Sequence, residues 1–552
     1  MKLFLKNVRS ILRKHEVRRL MQLIVLDVIV SILDVLFLIL LLIFIAFYTD
    51  PDQIIFSSVL TEMRVFQQPL LLLGIFCLLF GLKNFFAYYI TERETSCIYS
   101  IASRIASDKL SGYLDGDYLK YVQTDSSVHI RHIHHDAIEF SHHVLRGIQQ
   151  FISQFVLILI VLVPLLVFKP FLSLLLFFAL VPPILLSGFL IRKRLRVLRL
   201  TGKVLYQQLI QYLKEAISGF VESNVYDKKQ FFLHRFNLIQ KQHLQNLSDQ
   251  QISLGLPSRI MEVFVVFGLF ILLLIHQSVN PGSDLGVITL GAFMAASYKV
   301  IPGIVKMMNA LGQIRNYWFT VENLVSSEGV SSQVSGDAVA INSVQFSDVS
   351  YKFQDRAVLE NLSFDIYRGD MMGVSGISGK GKTTMINLIL GFLNPHSGVV
   401  KMNGNGLDRR QAWRRISYVK QQPFFIHDTL LRNITLDEAT VDQVKLKEVM
   451  YVTGIDSLTE TLSHGIETIV SESGKNLSGG QRQRVMLARA LYKDFDVLIL
   501  DEPFSQLDEE AELRILKHLQ TIAGNGRIVI LITHNEVSLS VCNKRLIIDG
   551  QA

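Results

Sequence analysis

Six apolar runs dominate the first 308 residues of this chain. They lie at about 21–48, 69–90, 147–168, 171–191, 254–275 and 286–308. Each is close to or longer than the roughly 20 mostly apolar residues that a membrane-spanning helix needs. The third and fourth are separated only by Lys169-Pro170, which predicts a tight hairpin. At about 150 residues per domain, the 552 residues hold two large domains or three to four small ones. Half of the residues are hydrophobic and 19% are charged, against about 25% charged in an ordinary soluble chain. This composition excludes a disordered chain and a small disulfide-stapled module, and it argues against a simple cytosolic enzyme. Cys77, Cys97 and Cys542 show no metal-ligand spacing, so packing roles are expected for all three.

The formal net charge of +7 invites a nucleic-acid reading until it is divided. Residues 344–552 carry 24 Lys+Arg against 25 Asp+Glu, and residues 1–343 carry 31 against 23. The basic excess therefore belongs to the half with the apolar runs, which fits a membrane protein and not a nucleic-acid binder. It is also asymmetric. The N-terminal stretch holds Lys2, Lys6, Arg9, Arg13, Lys14, Arg18 and Arg19, and the segment 192–253 opens with Arg192, Lys193, Arg194, Arg196 and Arg199. The short segments 49–68 and 276–285 carry one basic residue and none. Positive charge favours the cytoplasmic side. The expectation is a multi-pass protein, in a bacterial cytoplasmic membrane, with both termini and both long segments (91–146 and 192–253) cytoplasmic. A structureless loop of more than about 50 residues is improbable, so both long segments are read as helical extensions of the spans. The Ser/Gly-rich stretch Ser326–Asp337 opens a linker (326–343), after which the pattern becomes soluble α/β.

The chemistry lies in that second part. Gly376-Ile-Ser378-Gly379-Lys380-Gly381-Lys382-Thr383-Thr384 follows a strand-like run and precedes a helical one. This is the context of a phosphate-binding loop. Its glycines let backbone N–H groups turn toward phosphate, Lys382 is suited to the β/γ-phosphates, and Thr383 to Mg²⁺. Val497–Leu500 reads as a buried strand that delivers Asp501 and Glu502 at its end. The first carboxylate can hold Mg²⁺ and the second can polarise a water.

Leu477-Ser478-Gly479-Gly480-Gln481 resembles the signature of the ATP-binding cassette (ABC) family. The whole layout, six spans then one cassette, is similar to an ABC half-transporter of the exporter type. The fold expected is a multidomain membrane protein: an all-α six-helix transmembrane domain (1–325) and an α/β P-loop NTPase domain (344–552). The resemblance implies ATP and Mg²⁺ as cofactors and a second half-transporter as partner, the same chain or a different one. It also implies that the signature of one subunit closes over ATP held by the other. It assigns adenine stacking to Phe353, with Tyr351 as the neighbouring alternative. Gln421 would sense Mg²⁺ and water, Asp508 would cross the dimer interface, His534 would meet the γ-phosphate, and Glu472 would contact the membrane part. Tips near Asp115–Asp136 and Val221–Arg235 would supply coupling helices. Lys380, Lys420, Ser471, Ser473, Pro503, Phe504 and Gln506 depart from the usual family residues, and the catalytic positions Gln421, Glu502 and His534 are all present.

Other features stay open. His129, His132, His134, His135, His142 and His143 crowd one stretch, either as a solvated helix face or, through His132, His135 and Asp136, as a metal or pH-sensing site. Asp27 and Asp34 in the first span, and Lys299 and Lys306 in the sixth, share a seven-residue spacing. They read either as interhelical ion pairs (Asp27 with Lys306, Asp34 with Lys299) or as a lining for a charged head group. Lys83-Asn84 is a weaker candidate. Pro182-Pro183 and Pro302-Gly303 mark kinks, either static or hinge-like. The function expected is ATP-driven transport of an amphipathic substrate (a lipid, lipid-linked glycan, peptide or drug-like compound), by export or flipping. An importer on the same layout and an ATP-gated channel are the rivals.

Overall fold

A computed structural model describes residues 2–49, 69–116, 118, 122, 124, 126–168, 170–279, 287–326, 339–353, 356–377, 379–404, 411–436, 440–471 and 474–548. The chain divides into two compact units. One comprises Met1–Gly116 with Thr124–Ser331, and the other Asp117–Gln123 with Ser332–Ala552.

The first unit is helical. Its elements are α1 (Lys2–Ile11), α2 (Lys14–Thr49), α3 (Pro69–Leu114), α4 (residues 126–168), α5 (Pro170–Ser218), α6 (Phe220–Val225), α7 (Lys229–Val279), α8 (Val287–Asn316) and α9 (Trp318–Ser326). The six apolar runs fall in α2, α3, α4, α5, α7 and α8, one in each. Among the described residues, four helices are long and apolar enough to cross a membrane by length and composition. α3, α5 and α7 have 46, 49 and 51 residues. At 1.5 Å per residue each is about 70 Å long, over twice the roughly 30 Å hydrocarbon layer, so the long segments are helical extensions of the apolar runs. α4 and α5 meet at residue 169, with Pro170 starting α5. A first-turn proline loses no helix hydrogen bond. Pro182-Pro183 and Pro302 lie inside α5 and α8, and both helices continue through them.

α4 carries a feature that hydrophobic periodicity did not predict: two π-helical turns, Arg131–His135 and Phe140–Leu145. Beside them a core forms from Val8, Leu20, Ile98, Ile101, Phe140, Val144, Val321 and Leu324. A second core, around Met261, Val300 and Ile304, joins α4, α5, α7 and α8.

The second unit is α/β. An antiparallel sheet has the order β2 (Arg356–Tyr367), β1 (Ser343–Phe353), β4 (Ser397–Met402). A parallel sheet has the order β10 (Lys544–Ile547), β3 (Met371–Ser375), β9 (Ile528–Ile532), β8 (Val497–Asp501), β5 (Ile416–Val419). A small ribbon pairs β6 (Asp428–Thr429) with β7 (Ile469–Val470). The helices are α10 (Lys382–Ile389), α11 (Leu430–Thr435), α12 (Gln443–Thr453), α13 (Ile455–Thr461), α14 (Gly479–Tyr492), α15 (Glu509–Gly524) and α16 (Glu536–Ser540).

β8 and β9 are buried along their whole length, as parallel strands covered on both faces should be. Alternate side chains serve two cores. Val497, Ile499, Ile528, Ile530 and Ile532 pack with Met385, Ile386 and Ile389 of α10. Leu498, Leu500, Val529 and Leu531 pack with Val485, Leu487 and Ala488 of α14. The two-residue period of a strand thus sets α10 and α14 on opposite faces of one sheet.

Candidate nucleotide site and membrane-span polar cluster

β3 ends in the parallel sheet and the chain turns sharply into α10. Gly376, Gly379 and Gly381 have φ of 146°, 79° and 106°, values that L side chains rarely adopt. At Gly376 space forbids a side chain as well: a Cβ there would lie 2.3 Å from the Ile548 carbonyl oxygen. Gly381 caps α10, so unpaired N–H groups and the positive end of the helix dipole face the loop. Thr383 is exposed on the first turn, while Lys380 and Thr384 are half-buried. Ser378 lies outside the described residues.

Lys382 is buried. Its Nζ donates to the Gly376 carbonyl at 2.7 Å and stands 2.7 Å from His534 Nε2. A lysine ammonium can only donate, so that ring nitrogen is the acceptor and the imidazole proton sits on Nδ1. His534 Nε2 is also 3.4 Å from Glu502 Oε1. Gln421 Nε2 lies 3.5 Å from Glu502 Oε2. Lys382, Gln421, Glu502 and His534, from four separate stretches of sequence, thus converge beyond the carboxyl ends of β3, β5, β8 and β9. That is where open α/β sheets bind ligands.

Two neighbouring acids close the cluster. Asp501 is buried at the end of β8. Burial first, and then the Glu502 charge, push its carboxyl above the usual aspartate range, with Lys382 acting against them. Glu502 has φ of 48°, a conformation uncommon outside glycine and asparagine. Its N–H donates to the Ile532 carbonyl at 2.9 Å, which holds it there. A buried carboxylate beside a second one and an exposed threonine hydroxyl make an oxygen-donor set suited to Mg²⁺. Lys382 and the α10 N-terminus suit a polyphosphate. The residues present therefore fit MgATP.

The sequence left Phe353 and Tyr351 open for adenine. Tyr351 is only 7% exposed and packs into the core, whereas Phe353 is 53% exposed. Phe353 pairs with Arg356 at the β1–β2 hairpin. β2 continues to Val358 and Leu359, which lie against Gly381.

The signature is organised separately. Ser478 caps α14 and its Oγ accepts from Gln481 N–H at 3.3 Å, while Gln481 Oε1 accepts from Ser478 N–H at 2.8 Å. This reciprocal pair is a capping box. Gly480 has no room for a side chain, because the Gln506 carbonyl oxygen lies 2.8 Å from where its Cβ would be, while at Gly479 that space is taken by the movable end of the Gln506 side chain. Asp508 caps α15 through Ala511 N–H and accepts from Arg484 Nη2 at 2.8 Å. Sequence reading passed over Gln483, which donates to the Glu502 carbonyl and the Ser505 hydroxyl at 3.1 Å each and accepts from Gln506 N–H. It ties the signature helix to the loop that carries Glu502. A glutamine two residues past the signature offered no motif of its own. Glu472 lies outside the described residues.

The polar residues of the first unit sort themselves. Asp34 of α2 is held by two cations. Lys299 of α8 donates to Oδ2 at 2.9 Å, and Lys83 of α3 donates to Oδ1. Asp27 accepts from Ser153 of α4 instead of pairing with Lys306, which is exposed. The histidines do not gather on a metal. His132 bonds Asp136 at 2.7 Å and His135 bonds Glu139 at 3.1 Å, while His143 stacks on Tyr317 with ring centroids 3.8 Å apart. No group of three or more His, Cys, Asp or Glu side chains among the described residues could hold a metal ion.

Residues 359–505 match the family model described as ABC transporter. The chain is 28% identical over 373 residues to an ATP-dependent lipid A-core flippase of Burkholderia pseudomallei, covering 65% of this chain and 62% of that one. A lipid A-core flippase of Ralstonia nicotianae is 25% identical over 378 residues, covering 66% and 64%. The chain thus spans under two thirds of the length of the curated relatives it matches. Among solved structures, a bacterial Atm1-family ABC exporter with ATP bound superposes with a TM-score of 0.77 at 18% identity, covering 97% of this chain and 94% of that one.

Proposed function

From a chain with the architecture of an ABC half-transporter of the exporter type, a helical membrane unit fused to one ABC unit, we propose an ATP-hydrolysing transporter. It works as a dimer and exports or flips an amphipathic substrate by alternating access. One observation carries the dimer: the phosphate loop heads α10 on one face of the parallel sheet, and the signature heads α14 on the other. A second chain turned head to tail brings its Ser478, Gly479 and Gly480 over the ATP of the first. Two identical sites follow for a homodimer.

Lys382, Gly379, Gly381 and Thr384 bind the phosphates, and Phe353 offers its open face to adenine. Thr383, Asp501 and Gln421 would hold Mg²⁺, which would supply positive charge for the phosphate oxygens. Glu502 orients and deprotonates the attacking water, with Gln421 donating to its carboxylate and His534 held beside it by Lys382. Closure is favoured because ATP binds the closed pair better than the open one. The short helix α6 presents Phe220, Val221 and Val225, all more than 60% exposed. The ABC unit carries a cavity of about 700 Å³ whose lining includes Phe392, Trp413, Tyr418 and Tyr492. Lipid is the favoured substrate class, because the relatives named above are lipid flippases and the spans carry ionic groups.

The test is ATPase and substrate flux in vesicles containing the full chain, with a panel of lipids, peptides and drug-like amphipaths. Glu502→Gln should bind ATP yet lose about 100-fold or more in turnover. ATP-driven flux without stoichiometric hydrolysis would indicate a channel and overturn the transporter reading.

A further inference from the structure

Charge around Asp34 does not balance. One carboxylate faces two ammonium groups, Lys83 of α3 and Lys299 of α8. Asp34 stands near the middle of the 21–48 run, in the region where an unpaired charge is most costly. The next acid along α2, Asp27, is seven residues and about 10 Å away, and is taken up by Ser153. Lys83 is 8% exposed and its ammonium also lies 4.7 Å from the Phe80 ring centroid, a contact that stabilises a cation. The three-residue cluster itself thus carries two ammonium groups to one carboxylate.

A structural ion pair needs only one lysine per carboxylate, and a buried excess charge persists only when something compensates it. The cluster is not sealed either. The side chains of Asp34 and Lys299 are 24% and 23% exposed. Tyr298 and Met294, four residues apart on a neighbouring face of α8, are 72% and 60% exposed and leave an apolar and aromatic strip on the helix that carries Lys299. Two turns further on, α8 adds the exposed Lys306.

We propose that the Asp34–Lys83–Lys299 cluster is a binding site for the anionic group of an amphipathic cargo, a phosphate or carboxylate borne on an acyl or other apolar body. The inference rests on the transporter reading and names its substrate class. Asp34 acts as a placeholder that keeps both ammonium groups aimed at one point. The incoming anion supplies the missing charge, and its apolar part lies along Tyr298 and Met294.

The experiment is equilibrium binding to the full-length protein in phosphatidylcholine nanodiscs, using dodecyl phosphate, dodecylphosphocholine and dodecyltrimethylammonium, with inorganic phosphate as competitor. Dodecyl phosphate should bind at least about tenfold tighter than the zwitterionic and cationic probes. This comparison needs no variant. Equal binding of the three overturns the proposal. Lys299→Gln and Lys83→Gln should each cut that preference about tenfold, and Asp34→Asn should strengthen anion binding. If the cluster were only a structural ion pair, Asp34→Asn would leave the preference unchanged or abolish it with the fold, and that result also overturns the proposal. Efficient competition by inorganic phosphate assigns the site to a free anion, and its failure to compete assigns it to a head group; both uphold the anion site. Glu502-dependent ATPase with no anion preference sinks this inference alone. Lysine-dependent anion binding with no ATPase sinks the transporter reading and leaves the site standing.

Discussion

Asp501 sits where folding and chemistry pull one carboxyl group in opposite directions. Its folded pKa is raised, mainly by burial and then by Glu502, so the folded state holds the proton more tightly than the unfolded chain does. Ionisation therefore costs stability, and the cost sets in as pH rises through the carboxylate range. Asp501→Asn should raise the thermal midpoint of the nucleotide-free protein near neutral pH. The gain should shrink as pH falls toward 3.8, the ordinary aspartate value. The same variant should lose ATPase, so calorimetry and turnover would move in opposite directions. The two aromatic candidates separate similarly. Phe353→Ala should weaken ATP binding with little change in stability. Tyr351→Ala, which empties a core position, should cost about 3 kcal/mol; a chemical denaturation series alongside nucleotide titration checks both. At this scale most residues of the candidate site were legible, because a phosphate-loop pattern and a signature are runs of adjacent residues. Lys83 carries no comparable signal, because its partner lies 49 residues away. Gln483 was missed because its role depends on a loop that returns beside it.

Among the elements, α4 departs most from its sequence pattern. Hydrophobic spacing predicts an ordinary helix, and the structure inserts two π-helical turns where the histidines cluster. A π turn adds a residue without changing composition, so spacing alone could not locate it. One consequence is that His143 lies against Tyr317 instead of in solvent. Burial and then His142 lower its pKa from 6.5 to about 4. A depressed histidine contributes stability that is present above its unfolded pKa and is lost as pH falls from about 6.5 toward 4. His143→Phe keeps the stacked ring and removes the titration. Its thermal midpoint should therefore fall less than that of the native protein across this interval. An identical pH profile for the two would show that His143 carries none of the acid sensitivity. In the sequence Ser478 and Gln481 stand only as part of the signature; the structure adds that they close a capping box and that the Gln506 carbonyl occupies the space a side chain at Gly480 would need.

For the whole molecule, the division into an apolar basic half and a near-neutral α/β half was plain from composition, and the two compact units follow it apart from one segment. Placement of the signature and phosphate loop on opposite sheet faces was not readable, because it depends on which strands become neighbours. It yields a complementation test. Lys382→Ala and Ser478→Arg chains should each be inactive as homodimers. Mixed dimers should regain ATPase, because one composite site then combines an intact phosphate loop with an intact signature. No recovery on mixing would place the complete site within a single chain.

The exception to that division is Asp117–Gln123, which groups with the α/β unit although it lies between two stretches of the helical one. Tyr118 stacks on Phe392 with ring centroids 4.6 Å apart, and Phe392 in turn meets Trp413. The α/β unit is therefore not a contiguous piece of the chain. Expressed alone from residue 344 onward, it would leave a greasy aromatic shelf open to water. A fragment intended for crystallisation or inhibitor screening would need a short graft carrying Tyr118, or a polar replacement at Phe392, to remain monodisperse.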